Sequence, residues 1–450
     1  MSSKELCADS SACFAMHIEW EPIGDLQISD HHARKHPPTQ IHQITSSLKR
    51  FGWMTPLVVD SKNAVIVGAG RLLAARHAKF SRVPVIRVLH LSDDEVRAYR
   101  IADNKLAENS NWDDPKLNSE LRYLIKIDVS LVLATGFAMP ELDMRLNMGD
   151  AAEHEDEESA SDVPALPVTR SGDIWIIGDH RLICGDARDP NTVGLILDGR
   201  KIRLILEDRP FNVPVQGHVS GLGKHKHKEF AMASGEMSRE EFQHFLETVT
   251  AASKPHLLPG ALSFQFIDWR HLEEMAAAQR HHFGDMFNLA VWGKTNGGMG
   301  SFYRSQTEFC VIHKNGNAPH INNVQLGRFG RYRSNLWLQA GANSFGKTRD
   351  ADLEAHPTVK PTQLIADIIL DASDIEDCIF DGFIGSGSTL LACARTDRVG
   401  RGIEIDPSYV DVALKRLTKA TKLPAILQQT NQTFDEVARE RNSEERRDGR

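Results

Sequence analysis

Two short stretches carry residue types suited to chemistry. The first closes a buried apolar run, Ile202–Leu206, and reads Glu207-Asp208-Arg209-Pro210-Phe211-Asn212. An acid at the C-terminal end of a strand sits where α/β folds place ligand groups. A proline that rigidifies the turn and an aromatic ring beyond it can hold and face a flat ligand. By itself Asp208 also fits a plainer role, capping its own turn. The second stretch runs Ile379-Phe380-Asp381-Gly382-Phe383-Ile384-Gly385-Ser386-Gly387-Ser388-Thr389, then Leu390–Arg395, then Gly402-Ile403-Glu404-Ile405-Asp406-Pro407. A short strand, a glycine-rich turn, a small-residue helix and a second strand ending on an acid form the nucleotide-binding half of a doubly wound α/β sheet. Gly385 and Gly387 let the backbone approach a ligand, and Glu404 suits a ribose hydroxyl pair. NAD, FAD and S-adenosylmethionine all use this arrangement, so the loop alone names none of them.

The elements that must position these residues lie on both sides of them. Gly172–Ala187 reads as a hairpin with a Gly-Asp turn, and its second strand ends on Gly185-Asp186. Phe264–Ile267 is a strand ending in Asp268-Trp269-Arg270. Leu289–Lys294 leads into the glycine-rich loop 296–301, then Tyr303-Arg304-Ser305, Glu308 and the strand Phe309–His313. Asn335-Leu336-Trp337 follows. His356-Pro357-Thr358-Val359-Lys360-Pro361 then precedes an amphipathic helix with Leu364, Ile365, Ile368 and Ile369 on one face.

Taken in this order, these motifs resemble those of the β-class DNA amino-methyltransferases, which place the catalytic motif first and the cofactor loop last. The resemblance implies an S-adenosylmethionine-dependent Rossmann-like sheet and transfer of a methyl group to an exocyclic base amine, adenine N6 before cytosine N4. Such an amine is a poor nucleophile because its lone pair is delocalised into the ring. It implies that Asp208 and the Arg209 carbonyl each accept one N–H, drawing the nitrogen toward tetrahedral geometry. Pro210 aims the turn, and Phe211 stacks on a base flipped from the duplex. For the cofactor it implies Asp381, Phe383, Gly385 and Gly387 in the loop, Glu404 on the ribose, and Asp186, Thr358 and Lys360 at the other ends. Thr358 and Lys360 are expected at the methionine carboxylate. The chain departs from the family pattern three times. Arg209 takes the place of the first proline, Glu207 stands where a small or hydroxyl residue is usual, and Gly382 replaces a proline. A cation beside a cationic sulfonium is repulsive, and Glu207 is placed to pair with it. The alternative is therefore an impaired methyltransferase fold acting as a DNA-binding module.

The N-terminal block contains the Arg34 loop, a helix ending Ser47–Gly52 before Pro56, and Gly68-Ala69-Gly70-Arg71 with Ala74-Ala75 after it. It resembles the N-terminal domain of the ParB family, which implies a nucleotide at Gly68 and Arg71 on a helix N-terminus. The simpler expectation is that Arg71 only caps its turn. The expected division is 17–145 ParB-like, 146–167 acidic linker, 168–422 methyltransferase, and 423–450 a charged tail, frayed or weakly helical.

Composition adds limits. A 450-residue chain with 41% hydrophobic and 25% charged residues suits globular domains. Its formal charge of −8 does not announce a nucleic-acid binder. The basic groups are local: Lys224, Lys226 and Lys228 in a glycine-loosened loop, Arg304, and the strip Arg328, Arg331, Arg333. These are the expected contacts to double-stranded DNA. His225 and His227 lack partners at ligand spacing, so no metal is expected. Six cysteines without a Cys-x-x-Cys read as reduced thiols of a cytoplasmic protein, and no apolar run reaches membrane-span length. A homodimer is compatible with the resemblance.

Overall fold

The computed structural model describes residues 17–147, 164, 166–213, 233, 235–294, 302–324, 333–339 and 360–447. Two compact units divide the chain at Leu142/Asp143. In the first, β1 (Ile18–Pro22), β2 (Gln27–Ile28), β3 (Leu57–Val59), β4 (Ala64–Val67) and β5 (Arg82–Arg87) form a sheet in the order β1-β5-β3-β4-β2. Leu57, Val59, Val65, Leu72, Val83 and Val85 build its core. Helix α1 (Pro38–Phe51) stops at Gly52, whose φ of +74° is open to glycine at little cost. Helix α2 (Ala69–His77) starts from Gly68 at φ +95°. Helix α3 (Asp93–Ala107) begins with a capping box between Ser92 and Glu95. Helices α4 (Asp114–Ile127) and α5 (Val129–Leu133) follow, and α6 (Met139–Asn147) runs across the division.

The second unit is one sheet of eleven strands with helices between them. Its members are β6 (Ile174–Ile177), β7 (His180–Cys184), β8 (Ile202–Glu207), β9 (Leu257–Ile267), β10 (Asn288–Gly293), β11 (Thr307–Lys314), β12 (Leu336–Leu338), β13 (Cys378–Asp381), β14 (Val399–Glu404), β15 (Ile426–Leu427) and β16 (Gln432–Thr433). Their order is β12-β10-β11-β9-β8-β13-β14-β7-β6-β15-β16. The centre, β9-β8-β13-β14-β7, is parallel throughout. Parallel strands need crossovers and are buried on both faces, which explains their unbroken apolar runs. The described helices are α7 (Pro190–Leu197), α8 (Arg239–Ser253), α9 (Leu272–Phe283), α10 (Thr362–Ala372), α11 (Ser388–Arg395), α12 (Pro407–Thr421) and α13 (Phe434–Arg447).

Two elements differ from the sequence reading. The tail does not fray from 423. It adds β15 and β16 to the sheet edge, and α13 then docks with Val437 buried and the Phe434 ring 5.4 Å from that of Trp175. Arg441 pairs with Asp173. Strand β9 begins at Leu257, well before Phe264, because Pro259-Gly260 makes an irregularity within the strand instead of a turn. Cys184, Cys310, Cys378 and Cys393 are buried and free, and Cys7 and Cys13 lie outside the described residues.

Candidate active site

Strands β8 and β13 are hydrogen-bonded neighbours, with Ile205 opposite Phe380. The catalytic candidate at the end of one strand and the glycine loop at the end of the other therefore share one edge of the sheet. Asp208 follows the last residue of β8. Its Oδ2 accepts a hydrogen bond from Lys360 Nζ at 2.6 Å. Its Oδ1 is buried with no protein partner. Burial pushes the Asp208 carboxyl up, the Lys360 ammonium opposes that, and the Glu308 charge adds to it. Phe211 packs against two core clusters, one of them containing Phe266 and Trp292. Asn212 closes the turn at φ +52°. Its side chain donates to the Met237 carbonyl at 2.8 Å and accepts from Gly235 N–H and Met237 N–H.

Arg209 does not point at the cofactor loop. It is 1% exposed and lies under the turn. Its Nε donates to Glu207 Oε2 at 2.8 Å, and Nη2 lies 2.7 Å from the same oxygen. Nη1 donates to the Leu246 carbonyl and Thr250 Oγ1 on α8, at 3.0 and 3.1 Å. The third departure belongs to the same cluster. A Cβ at position 382 would fall 3.0 Å from Glu207 Oε1 and 3.0 Å from the Ala187 methyl. Glu207 thus fills space that a residue larger than glycine would need, and Arg209 supplies its counter-charge. Burying either charge alone would be costly; buried together and hydrogen-bonded, they are tolerated.

In the loop, Asp381 faces inward. Thr389 Oγ1 donates to Oδ2 at 2.6 Å and Phe383 N–H to Oδ1 at 2.9 Å, and burial raises the carboxyl to about 8. The Phe383 ring meets Phe245 edge-on at 6.2 Å. Gly385, at φ +52°, donates its N–H to Glu404 Oε2 at 2.8 Å. Gly387 is at φ +92°, and a Cβ there would lie 2.9 Å from that of Ala413, so its close approach is to helix α12. Glu404 Oε1 accepts from Asp406 N–H, and burial pushes this carboxyl to about 7. Its main-chain carbonyl accepts from Gly185 N–H at 2.9 Å, which brings Asp186 beside the loop. Asp186 is paired with Arg188, whose Nη2 is 2.6 Å from Oδ2. Asp186, Arg188, His244, Phe245 and Thr248 line a cavity of about 600 Å³.

Several expected residues lie elsewhere. Lys360, expected at a cofactor carboxylate, is buried between Asp208 and Glu308, with Nζ 2.9 Å from Glu308 Oε2. Lys294 pairs with the other oxygen of Glu308. Neither Glu308 nor Lys294 was singled out for the site by sequence; an acid opening β11 and a lysine ending β10 were the only signals. Arg333 is engaged by Asp367 and Asp371 of α10 at 2.8 and 2.5 Å, so its charge is met inside the unit rather than held out for phosphate. Arg304 is exposed. Thr358, Lys224, Lys226, Lys228, Arg328 and Arg331 lie outside the described residues. In the first unit Arg71 Nη1 donates to the Thr55 carbonyl at 2.6 Å, tying down the turn before Leu57. No group of three or more His, Cys, Asp or Glu side chains suited to a metal occurs among the described residues.

A DNA methylase family model (N6_N4_Mtase) matches residues 202–415. Over 80 residues the chain is 38% identical to the ParB-like nuclease domain-containing protein YnaK of Escherichia coli (strain K12), spanning 18% of this chain and 92% of that protein. It is 26% identical over 259 residues to the type II methyltransferase M.HpaI of Haemophilus parainfluenzae, spanning 53% of this chain and 74% of that protein. The solved M1.HpyAVI–SAM complex aligns over 52% of this chain and 98% of that chain, at 21% identity and a TM-score of 0.38. The chain is an S-adenosylmethionine-dependent DNA amino-methyltransferase. Residues 202–415 match the N6/N4 DNA methylase family, and the N-terminal segment is a ParB-like domain. The comparisons do not support the alternative of an impaired fold used only to bind DNA.

Proposed function

We propose that this protein methylates DNA site-specifically and that its target is adenine N6, with Asp208 as the residue that activates the amine. The observation that carries the assignment is Asp208 itself: one oxygen is held by Lys360 and the other is buried without a partner. An unsatisfied buried acceptor costs free energy that an incoming N–H recovers. The Arg209 carbonyl takes the second N–H, and Phe211 supplies the stacking face. The arginine at this position leaves that carbonyl in place, and its side chain is spent on Glu207 and α8. The choice of adenine rests on the family resemblance alone.

The residues present fit S-adenosylmethionine. The cavity beside Asp186 and Phe245 has a volume suited to a nucleoside. Phe383, Gly385 and Glu404 would hold the ribose side, and Asp186 the adenine side once Arg188 yields. Asp381 and Gly387 set the shape of the loop. When bound, the cofactor supplies a methyl group on a cationic sulfur. Arg304 is the described residue we assign to DNA. The proposed domain limits are 17–145 and 168–422, with the tail packed on the second. Among the described residues no helix is long and apolar enough to cross a membrane, and action on DNA favours a cytoplasmic setting. A homodimer is compatible with the resemblance, and light scattering on the purified protein tests it.

The assay is tritium transfer from labelled S-adenosylmethionine to unmethylated bacterial DNA, with the nucleosides then separated. Label in N6-methyl-2′-deoxyadenosine, lost in Asp208→Ala, is the expected result. Label in N4-methylcytosine overturns the target, and no label with the native chain overturns the function.

A further inference from the structure

Four alternating charges run into the site: Lys294, Glu308, Lys360 and Asp208. They come from the end of β10, the start of β11, the entry to α10 and the end of β8, which are remote in sequence. Lys360 Nζ is hydrogen-bonded to Asp208 Oδ2 at 2.6 Å, whereas its 2.9 Å contact with Glu308 Oε2 is a charge contact without hydrogen-bond alignment. Aromatic rings wall the ammonium in, with Phe266, Phe211 and Trp292 centroids at 5.0, 5.4 and 5.6 Å. One ammonium thus serves two carboxylates: Lys360 and Glu308 are buried, and Asp208 keeps 24% of its side chain exposed.

We propose that Glu308 is a positioning residue for methyl transfer, which shares the Lys360 ammonium and so keeps Asp208 a strong acceptor for the target amine. This rests on the methyltransferase reading of Asp208. An acceptor weakens as a cation is drawn onto it, because the same electron density serves both. Given Lys360 alone, Asp208 would be held as a tight neutral pair. Glu308 pulls the ammonium the other way, and Lys294 prevents it from taking Lys360 entirely. The balance is visible in both partners. Burial pushes Glu308 up, but Lys360 and Lys294 outweigh it and hold the carboxyl low. Asp208 stays above the usual carboxylate range.

The other groups facing Asp208 are the Cys310 thiol on β11, Asp381 at the end of β13, and Glu207 on its own strand, met by Arg209. Strand β9 presents the neutral Gln265. None of these carries a free cation; burial raises Asp208, and the sharing of Lys360 with Glu308, with a smaller direct pull from Lys294, tunes it from there.

The test uses opposite signs. Transfer needs the Asp208 anion, so the single-turnover rate rises with pH through an acid limb. Glu308→Gln leaves Lys360 wholly on Asp208. The limb then moves down by about one pH unit and the plateau rate falls several-fold. Lys294→Met gives Glu308 wholly to Lys360 and moves the limb up by a similar amount. The second readout needs no cofactor: ¹³Cγ-aspartate NMR of the apo protein, with Asp208 assigned through Asp208→Asn, should show the same two shifts. If Glu308→Gln fails to fold, Glu308→Asp carries the test in its place, because Lys294 also acts directly on Asp208. It keeps the charge but shortens the reach to Lys360, and should move the limb down by a smaller amount. Shifts of equal sign, or none, overturn the role of Glu308 while methylation by the native chain leaves the enzyme reading standing. No methylation by the native chain, with both NMR shifts present, overturns the enzyme reading and leaves the charge sharing as a property of the fold alone.

Discussion

At residue scale, the surroundings of single acids decide what they accept. Glu404 is held near neutrality by burial, while its oxygens accept two backbone N–H groups. In the proposed complex the ribose hydroxyls donate to the Glu404 anion, so binding below about pH 7 would release a proton. Cofactor affinity should rise as pH climbs through that value and level off above it. Glu404→Gln should remove the dependence and weaken binding about tenfold or more. Calorimetric titration in buffers of different ionisation enthalpy reads both. Arg209 gives the second prediction. Arg209→Pro restores a family-like residue but strands Glu207, and an unpaired buried charge costs about 3–5 kcal/mol. Methyl incorporation and thermal midpoint should both fall, and adding Glu207→Ala should recover part of each. That Asp208, the glycine loop and Glu404 lie at the ends of strands was legible because each is a local pattern of residue types. The contacts of Lys360 with Asp208 and Glu308 were not, because they come from strands that only the folded sheet brings near.

At the scale of elements, the central strands were legible because parallel, doubly buried strands read as apolar runs ended by turn residues. Strand β9 was half lost because Pro259-Gly260 carries a turn signal. In the fold Gly260 adopts φ +76°, and a Cβ there would sit 2.1 Å from the Pro319 carbonyl oxygen. Gly260→Ala should therefore destabilise by about 2–4 kcal/mol. A lower urea midpoint for the second unit, with unchanged cofactor affinity at saturating stability, is the expected pattern; an unchanged midpoint would contradict the close packing. The tail was misread because a strongly charged sequence hides a narrow apolar stripe. Phe434 and Val437 suffice to dock α13, with Arg441 on Asp173.

For the whole molecule, protons bound on folding change sign across the neutral range. Asp381 and Glu404 titrate near 8 and 7, above their unfolded values, so their contribution is full at low pH and is lost as pH rises through those values. Buried His180 and His313 are depressed to about 4 by desolvation, so their contribution is lost as pH falls below the unfolded histidine value. The two pairs oppose each other below about pH 6.5, and only the acids act above it. The melting midpoint of the cofactor-free protein should drop by on the order of 2–4 °C between pH 6.5 and 8, with Asp381→Asn flattening the drop. A scanning melt across that range would refute this by showing a rise. The cluster of Glu207, Arg209 and Gly382 has a consequence for descent. Glu207 without Arg209 is an isolated buried charge, Arg209 without Glu207 is another, and a residue with a Cβ at 382 presses on the carboxylate at 3.0 Å. A lineage can enter or leave this state only through poorly tolerated intermediates. The three residues should therefore be inherited and exchanged as a set, which sequences of relatives carrying an arginine at this position would test.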